Sequence, residues 1–346
     1  MNQRMLLTIG IVVVILLAAG AFWYVRQRAY REGTTTSAPP SPGPQITEPE
    51  EKAASYDVVA YTTSSVATEI FSTSLQDGKR RIIFTDQDES LKVRALRHVF
   101  DEGRKVLAYL APKSEQHGRT LAEIALEGSG KVTTLLDNFG ASEAPIGSPD
   151  GKRVAYVVFS NADPDYGYSL MIMNSDGSNK RRLFRRETLL YEPAFKPDGT
   201  VVAFLSDTGS GMAIQTVSAA GTGEPTVVAE FSNEILYNLS WGEELIFGKR
   251  PKEETSANNG EIYTISDVGS GLRRLTNNEA FDGSPSVSPD GTKLALVRTT
   301  FASGKYSTAG ELTLVVVNLA DQTETELGSA DGILGWKGAE QTGSSP

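Results

Sequence analysis

The residues best suited to chemistry in this chain are scattered carboxylates. Asn161, Asp163, Asp165 and Gly167, with Pro164 and Tyr166 between them, imitate a calcium loop, in which alternate oxygen-bearing side chains wrap a hard cation around a glycine turn. The glycine comes one position late and Ile172 stands where the closing glutamate belongs, so an acidic hairpin loop accounts for the pattern without an ion. Asp86, Asp88 and Glu89 form a second cluster, which reads as a solvated loop. Only two histidines are present, His98 and His117, and no cysteine. Disulfides, thiolate metal sites and cysteine nucleophiles are thereby excluded. The chain contains no Gly-x-Ser-x-Gly elbow, Walker loop or HExxH helix, so acid–base catalysis would fall to carboxylates alone. With 43 acidic against 33 basic residues, a net charge of −10 and a pI near 5.0, the chain has the wrong sign for neutralising phosphates. Nucleic acid is therefore excluded as a partner, and no cofactor or metal is implied.

The elements that must position these groups are announced by a repeat. Ser148-Pro149-Asp150-Gly151, Lys196-Pro197-Asp198-Gly199 and Ser288-Pro289-Asp290-Gly291 each precede a β-branched or aromatic run, and weaker copies stand at Asp101-Glu102-Gly103 and Trp241-Gly242-Glu243. Proline sets φ for the first central position of a type I turn, aspartate suits the next, and glycine accepts the left-handed residue that closes a hairpin. Third strands are expected over 169–173, 211–217, 261–265 and 312–317, and fourth strands over 182–184, 226–229 and 274–276. The turns recur every 44 to 48 residues, and four short strands per unit of about that length is the period of a β-propeller blade.

These features resemble the TolB-type β-propellers with their WD-like repeats. The resemblance rests on the SPDG and KPDG turns, the aliphatic strand after each, and the strings MNSDGSNKRRLF and GLRRLTNN, and it covers about residues 55–340. It implies an all-β, six-bladed propeller of four-stranded antiparallel blades. Related blades also occur in peptidase propellers and polysaccharide lyases, so the resemblance speaks for the fold more than for an activity. TolB proteins carry an α/β domain ahead of the propeller; here an apolar run and a proline-rich stretch occupy that place.

Closure follows from a split repeat. The first unit has strands at 58–61, 69–74 and 81–84 but lacks an inner strand, whereas Ile333-Leu334-Gly335-Trp336 matches Asn238-Leu239-Ser240-Trp241 at the start of a unit. One C-terminal strand and three N-terminal strands should therefore complete one blade and protect both edges. In such a blade the first-to-second turns lie on one face and the second-to-third loops on the other. The second face receives the longer loops, at 111–119, 160–167, 206–210, 249–259 and 299–309, and long loops on a rigid scaffold are where binding resides. The channel mouth there should be lined by residues entering the first strands: Arg97, Glu143, Tyr191, Glu192, Tyr237, Asn238, Asp282, Ser284 and Asp331. Taken singly they are ordinary exposed polar groups; together they favour a cationic or polar partner. Trp241 and Trp336 share an equivalent position with Phe195 and Val287, which core packing explains.

Four segments are expected: an anchor over 1–32, a disordered tether over 33–55, the propeller over 56–340 and a tail over 341–346. Residues 6–25 are twenty without a charge, long enough as a helix for the roughly 30 Å hydrocarbon layer. Trp23 and Tyr24 form an aromatic belt and Arg26, Arg28 and Arg31 follow. A signal peptide cleaved near Ala21 is the alternative. The arginine count taken alone places the propeller in the cytoplasm, but the proline- and hydroxyl-rich spacer after it reads as an envelope tether, which places the propeller outside. The functional expectation is a monomeric, non-enzymatic scaffold that binds an envelope protein or polymer through its long-loop face. The alternative is a propeller lyase or hydrolase using channel carboxylates on a polysaccharide or peptide.

Overall fold

The computed structural model describes residues 56–64, 67–86, 93–100, 104–110, 119–126, 131–141, 145–162, 164–252, 260–300 and 310–338. The expected membrane span, the tether, the tail, His117, and residues 87–89 of the second acidic cluster lie outside them. Among the described residues twenty-four strands follow one another. The first three are β1 (Tyr56–Thr63), β2 (Thr68–Ser74) and β3 (Arg80–Asp86). Next come β4 (Val93–Phe100), β5 (Lys105–Leu110), β6 (Arg119–Ala125) and β7 (Val132–Phe139), then β8 (Ile146–Gly147), β9 (Arg153–Ser160), β10 (Gly167–Asn174) and β11 (Arg181–Arg186). The fourth set is β12 (Leu190–Phe195), β13 (Val201–Asp207), β14 (Gly211–Ser218) and β15 (Thr226–Ser232). The fifth is β16 (Glu234–Trp241), β17 (Leu245–Pro251), β18 (Glu261–Ile265) and β19 (Arg273–Arg274). The last are β20 (Phe281–Val287), β21 (Lys293–Thr300), β22 (Glu311–Asn318), β23 (Glu324–Ser329) and β24 (Gly332–Gly338).

They form six four-stranded sheets, five of them consecutive in the chain and one ordered β24-β1-β2-β3. All pairings are antiparallel, and β24 lies on β1 with Val58 opposite Trp336 and Ala60 opposite Ile333. The fold is thus the six-bladed propeller, closed by one C-terminal and three N-terminal strands.

The blades hold together because their second strands are buried on both faces, and the period of two sends alternate side chains to opposite neighbours. Val58 and Ala60 of β1 pack with Ala295, Val297 and Leu314, while Val59 between them packs with Val106, Ala108 and Ile124. Likewise Val202 and Phe204 face the blade before, with Val157 and Leu170, whereas Ala203 and Leu205 face the blade after, with Leu236 and Phe247. Leu294 and Leu296 join Ile246 and Ile262, while Ala295 and Val297 join Ile333 and Trp336. Among the described residues there is one such apolar cluster for each seam of the ring. The uninterrupted apolar runs that read as strands in the sequence are this double burial.

The repeated turns have the chemistry expected of them. Asp150 Oδ1 accepts from the Lys152 amide at 3.1 Å and from the Ser148 hydroxyl, and Gly151 donates back to the Ser148 carbonyl at 2.9 Å. In the same way the Asp198 carboxylate takes the Thr200 amide at 2.8 Å and Asp290 takes the Thr292 amide at 3.1 Å. Gly151, Gly199 and Gly291 have φ of 69°, 69° and 70°, a left-handed conformation that disfavours other residues. Neighbouring blades are pinned at the same level: Arg153 Nη2 donates to the Gly199 carbonyl at 2.8 Å, and Lys196 pairs with Asp267 at 2.8 Å.

The hydrogen bond from Ser148 holds the Asp150 carboxyl below its ordinary range, and that from Thr200 does the same for Asp198. At Asp290 burial pulls upward, but the bonds from Ser288 and Thr292 outweigh it and the net direction is also down. A carboxyl depressed in the folded state contributes stability that is complete above its unfolded value, about pH 4, and is lost as pH falls through the folded value. Replacing Asp150, Asp198 and Asp290 together by Asn should therefore lower the melting temperature at pH 7, and by less at an acid pH well below the ordinary aspartate value. Equal gaps at both pH values in thermal melts would show that the charge does not hold these turns.

Candidate functional site

The face away from the Pro-Asp-Gly turns is where the first strands begin, and three of them begin in the same way. Tyr191 pairs with Leu205 and Ala194 with Ala203, so that Glu192 and Pro193 together oppose a single residue. The same bulge places Asn238 and Leu239 between the pairs Tyr237–Gly248 and Ser240–Ile246, and Ser284 and Pro285 between Gly283–Val297 and Ser286–Ala295. The first bulged residue is left-handed each time: φ is 50° at Glu192, 52° at Asn238 and 50° at Ser284. Such a conformation costs a non-glycine residue about 1–3 kcal/mol, so something must hold it.

What holds it is bonding one blade onward. Glu192 Oε2 accepts from the Leu239 amide at 2.8 Å, and Asn238 Oδ1 accepts from the Ser284 amide at 2.9 Å. The preceding tyrosines repeat the step, with Tyr191 donating to the Leu236 carbonyl at 2.7 Å and Tyr237 to the Asp282 carbonyl at 3.0 Å. The Tyr237 ring stacks on Phe281 with centroids 4.9 Å apart. It fits only because Gly248 lies opposite, where a Cβ would come within 2.0 Å of it. Burial, reinforced by the charges of Asp282 and Glu261, pushes the Tyr237 phenol above its ordinary range, so it remains a hydrogen-bond donor at every physiological pH.

Asp282 has a different place from the one the sequence suggests. It is fully buried. Its carboxylate receives Arg298 Nε at 2.8 Å, Arg298 Nη2 at 3.2 Å and Asn278 Nδ2 at 2.7 Å. Arg298 also pairs with Glu324 at 2.6 Å. Burial by itself would lower the arginine, but the carboxylates of Glu324 and Asp282 outweigh it and raise it further. Asn278 continues the network: its amide donates to Glu261 Oε1 at 2.8 Å, and buried Glu261 is paired with Arg274 at 2.7 Å. Asp282 is thus an interior residue whose charge is matched from within.

Asp331 works at the closure, its amide donating to the Tyr61 carbonyl at 2.8 Å and its carboxylate accepting from Thr63. Arg97 and His98 lie on β4; Glu143 lies outside the described residues. Asp165 of the calcium-like loop pairs with Arg182 at 2.9 Å, and Arg185 donates to the Pro164 and Tyr166 carbonyls at 2.8 and 2.6 Å; Asp163 lies outside the described residues.

At the opposite end of the channel the structure adds a feature not expected from the sequence. A cavity of about 520 Å3 is lined by Tyr56, Ile146, Gly147, Phe195, Trp241 and Trp336 among others. Trp336 is buried, as core packing requires, and its indole donates to the Ser286 carbonyl at 3.1 Å. Trp241 remains half-exposed. The signal was present in the aligned repeats, where Gly147 stands at the position that Phe195, Trp241, Val287 and Trp336 fill.

Substitutions should separate the roles around the mouth. Asn238→Ala loses the acceptor for Ser284 and keeps the unfavourable φ, and should cost about 2 kcal/mol in denaturant unfolding; Asn238→Gly relieves the backbone and should cost less. Asp282→Ala leaves Arg298 and Asn278 without their buried partner and should cost about 3–5 kcal/mol. An Asp282→Ala protein as stable as the parent would return that residue to the accessible mouth.

Comparison with known proteins bears on the same repeats. Residues 152–305 match the TolB beta propeller domain. "Protein TolB homolog" of Chlorobium chlorochromatii is 33% identical over 124 residues, 35% of this chain and 26% of that protein. "Tol-Pal system protein TolB" of Bordetella pertussis is 29% identical over 143 residues, 41% of this chain and 31% of that protein. The chain thus matches less than a third of the length of these relatives. The crystal structure of TolB from Acinetobacter baumannii superposes with a TM-score of 0.61 at 16% identity, covering 82% of this chain and 66% of that one, a likeness of fold. With the turn repeats, six blades and split closure already established, these matches show that residues 152–305 carry a TolB-type propeller domain and that the ring as a whole is similar in fold to TolB.

Proposed function

We propose that the chain is a non-enzymatic binding scaffold of the cell envelope, which captures a protein or polymer through its long-loop face. The observation that carries this reading is the row of equivalent residues, Tyr191 and Glu192, Tyr237 and Asn238, Gly283 and Ser284, which share the same bulge at the start of three inner strands. A surface already fixed in this way loses little conformational entropy when a partner docks. Its acids also argue for binding over catalysis. Glu192 and Asp331 are engaged with backbone amides and Asp282 with an arginine, whereas a general acid or base needs a carboxyl available to substrate. The Bordetella pertussis relative is named for the Tol-Pal system, which supports an envelope partner. Arg97, Glu143, Glu192 and Asp331 give the mouth its charge, and the acidic majority selects a cationic or polar partner; Tyr191, Tyr237, Asn238, Asp282 and Ser284 shape it.

In the same reading the apolar stretch at 6–25 anchors the protein in the membrane as a single span, and the proline-rich stretch that follows tethers a monomeric propeller outside the cytoplasm. Added protease should then cut between residues 33 and 54 in intact cells, once any outer membrane is permeabilised, and release a propeller-sized fragment. Resistance until the inner membrane is broken would place the propeller in the cytoplasm.

The working face is tested by neutralising its charges while keeping its acceptors. Glu143→Gln, Glu192→Gln and Asp331→Asn together should reduce capture of a cross-linked envelope partner at least about tenfold without lowering the melting temperature by more than a few degrees. Lys152→Ala and Thr292→Ala, at the tight turns, should leave capture unchanged. The reverse pattern would assign the work to the other face.

A further inference from the structure

One outer edge of the ring has a charge unlike the rest of the protein. β11 is the outermost strand of its blade, and with the residue before it places Lys180, Arg181, Arg182, Arg185 and Arg186 within seven residues of a chain whose net charge is −10. The corresponding strands β15 and β23 carry the acids Glu230, Glu324 and Glu326 instead. On β19, Arg273 and Arg274 are paired with Glu244 and Glu261. The arginines of β11 are held differently. Arg181 donates to the Ala219 and Ala220 carbonyls, Arg185 Nη2 to the Pro164 and Tyr166 carbonyls at 2.8 and 2.6 Å, and Arg186 Nη1 to Gln215 Oε1 at 3.4 Å. These acceptors are neutral: they orient a guanidinium without matching its charge, and each guanidinium has further N–H groups to give. Of the four arginines Arg182 has a carboxylate, that of Asp165, and a pair in which both side chains are exposed is worth little. Among the described residues no carboxylate pairs with Lys180, Arg181, Arg185 or Arg186.

The strand register lays these charges out on two sides. Arg181 and Arg186 stand opposite Ile172 and Tyr168, which pack into the seam with the following blade. Arg182 stands opposite Met171, which packs into the seam with the preceding blade, and Arg185 opposite Ser169 on that same side. Cross-strand partners share a face, so guanidiniums flank the edge on both sides. Leu183 is a bulged residue between them, and a bulge turns an edge away from pairing with a further strand. The edge therefore offers side chains more than backbone. Charges alone keep other sheets away; the neighbouring hairpin does the opposite. Phe159 and Tyr166 are 45% and 51% exposed, and no other aromatic is exposed among the described side chains. Their rings meet edge to face 5.8 Å apart, and Arg185 ties the Tyr166 loop to β11. Exposed aromatic rings beside arginines are the composition of a protein interface.

We propose that the outer edge of this blade binds an acidic, extended segment of a partner protein. Its carboxylates pair with Lys180 and the four arginines along both sides of β11, and an apolar side chain of the same segment covers Phe159 and Tyr166. Cations on both sides of the edge favour a chain of carboxylates over a compact anion, since each guanidinium takes a carboxylate through two parallel N–H bonds. The aromatic pair favours a polypeptide over a polyuronate, which brings carboxylates without apolar side chains. The surface is separate from the residues of the channel mouth and does not depend on the scaffold reading above.

The fluorescein-labelled peptide EEFEEFEE is a suitable probe. It should bind the full chain saturably in fluorescence anisotropy and be released as sodium chloride rises from about 0.05 to about 0.5 M. The uncharged counterpart QQFQQFQQ, the phenylalanine-free EESEESEE and polygalacturonate should each bind more weakly. Lys180→Gln with Arg182→Gln, the two exposed cations of the strip, should weaken EEFEEFEE at least about tenfold in protein that keeps its parent melting temperature. Phe159→Ser with Tyr166→Ser should weaken EEFEEFEE and leave EESEESEE unchanged. Arg273→Gln, on the outer strand β19, should leave binding unchanged. An absence of saturable binding, equal affinity for QQFQQFQQ, parent affinity in the Lys180→Gln and Arg182→Gln protein, or tighter binding of polygalacturonate than of the peptide would each overturn the proposal.

Discussion

The pairing of β24 with β1 is the constraint on which everything else depends. Without it β1 would be an edge strand with unpaired amides and carbonyls, a template for aggregation. The first blade would also lose the strand whose Ile333 and Trp336 fill one seam while Leu334 fills the next. Because the blades form a ring, an opened seam deprives both neighbours, and a chain that ends in the middle of a blade ties its two ends together through backbone hydrogen bonds. Arg80 strengthens the closure by donating to the Ser329 carbonyl across 249 residues of sequence.

Given a closed ring, the seams supply most of the cohesion. Each inner β-hairpin buries alternate residues against two different neighbours, so a single apolar run contributes to two clusters, and burial of each such side chain is worth about 1.5–3 kcal/mol. Polar bonds then fix how one blade stands on the next. Most of these reach forward by one repeat: Arg153 to Gly199, Tyr191 to Leu236, Glu192 to Leu239, Tyr237 to Asp282 and Asn238 to Ser284. The tyrosine step is repeated unchanged, the side-chain acceptor beside it changes from Glu192 to Asn238, and the spacing stays between 45 and 47 residues.

The residues at the starts of three inner strands therefore have two obligations. Glu192, Asn238 and Ser284 stand in left-handed backbone at equivalent positions, and the first two are held there by amides of the following blade. Their carboxylate and amide oxygens are thereby committed to the backbone of the next blade. Asp282 takes this to its limit: a carboxylate drawn wholly into the wall, matched by Arg298 and Asn278.

Local chemistry alone determined the turns, the strands and the closure. Pro-Asp-Gly can form few other turns, a β-branched run after such a turn can only return as a hairpin, and a repeat split between the two ends has to be completed somewhere. The third strand of the fifth blade is found at Glu261–Ile265 where it was expected, and the fourth strands begin within one residue of theirs. The fate of a polar residue at a strand start was decided only in three dimensions. Asp282 and Asp331 read alike in sequence, yet one is buried against an arginine sixteen residues on and the other bonds to residues at the far end of the chain. The cavity between Gly147 and the rings of Phe195, Trp241 and Trp336 also belongs to the tertiary structure, because a missing side chain becomes space only when repeats far apart in sequence converge on one axis.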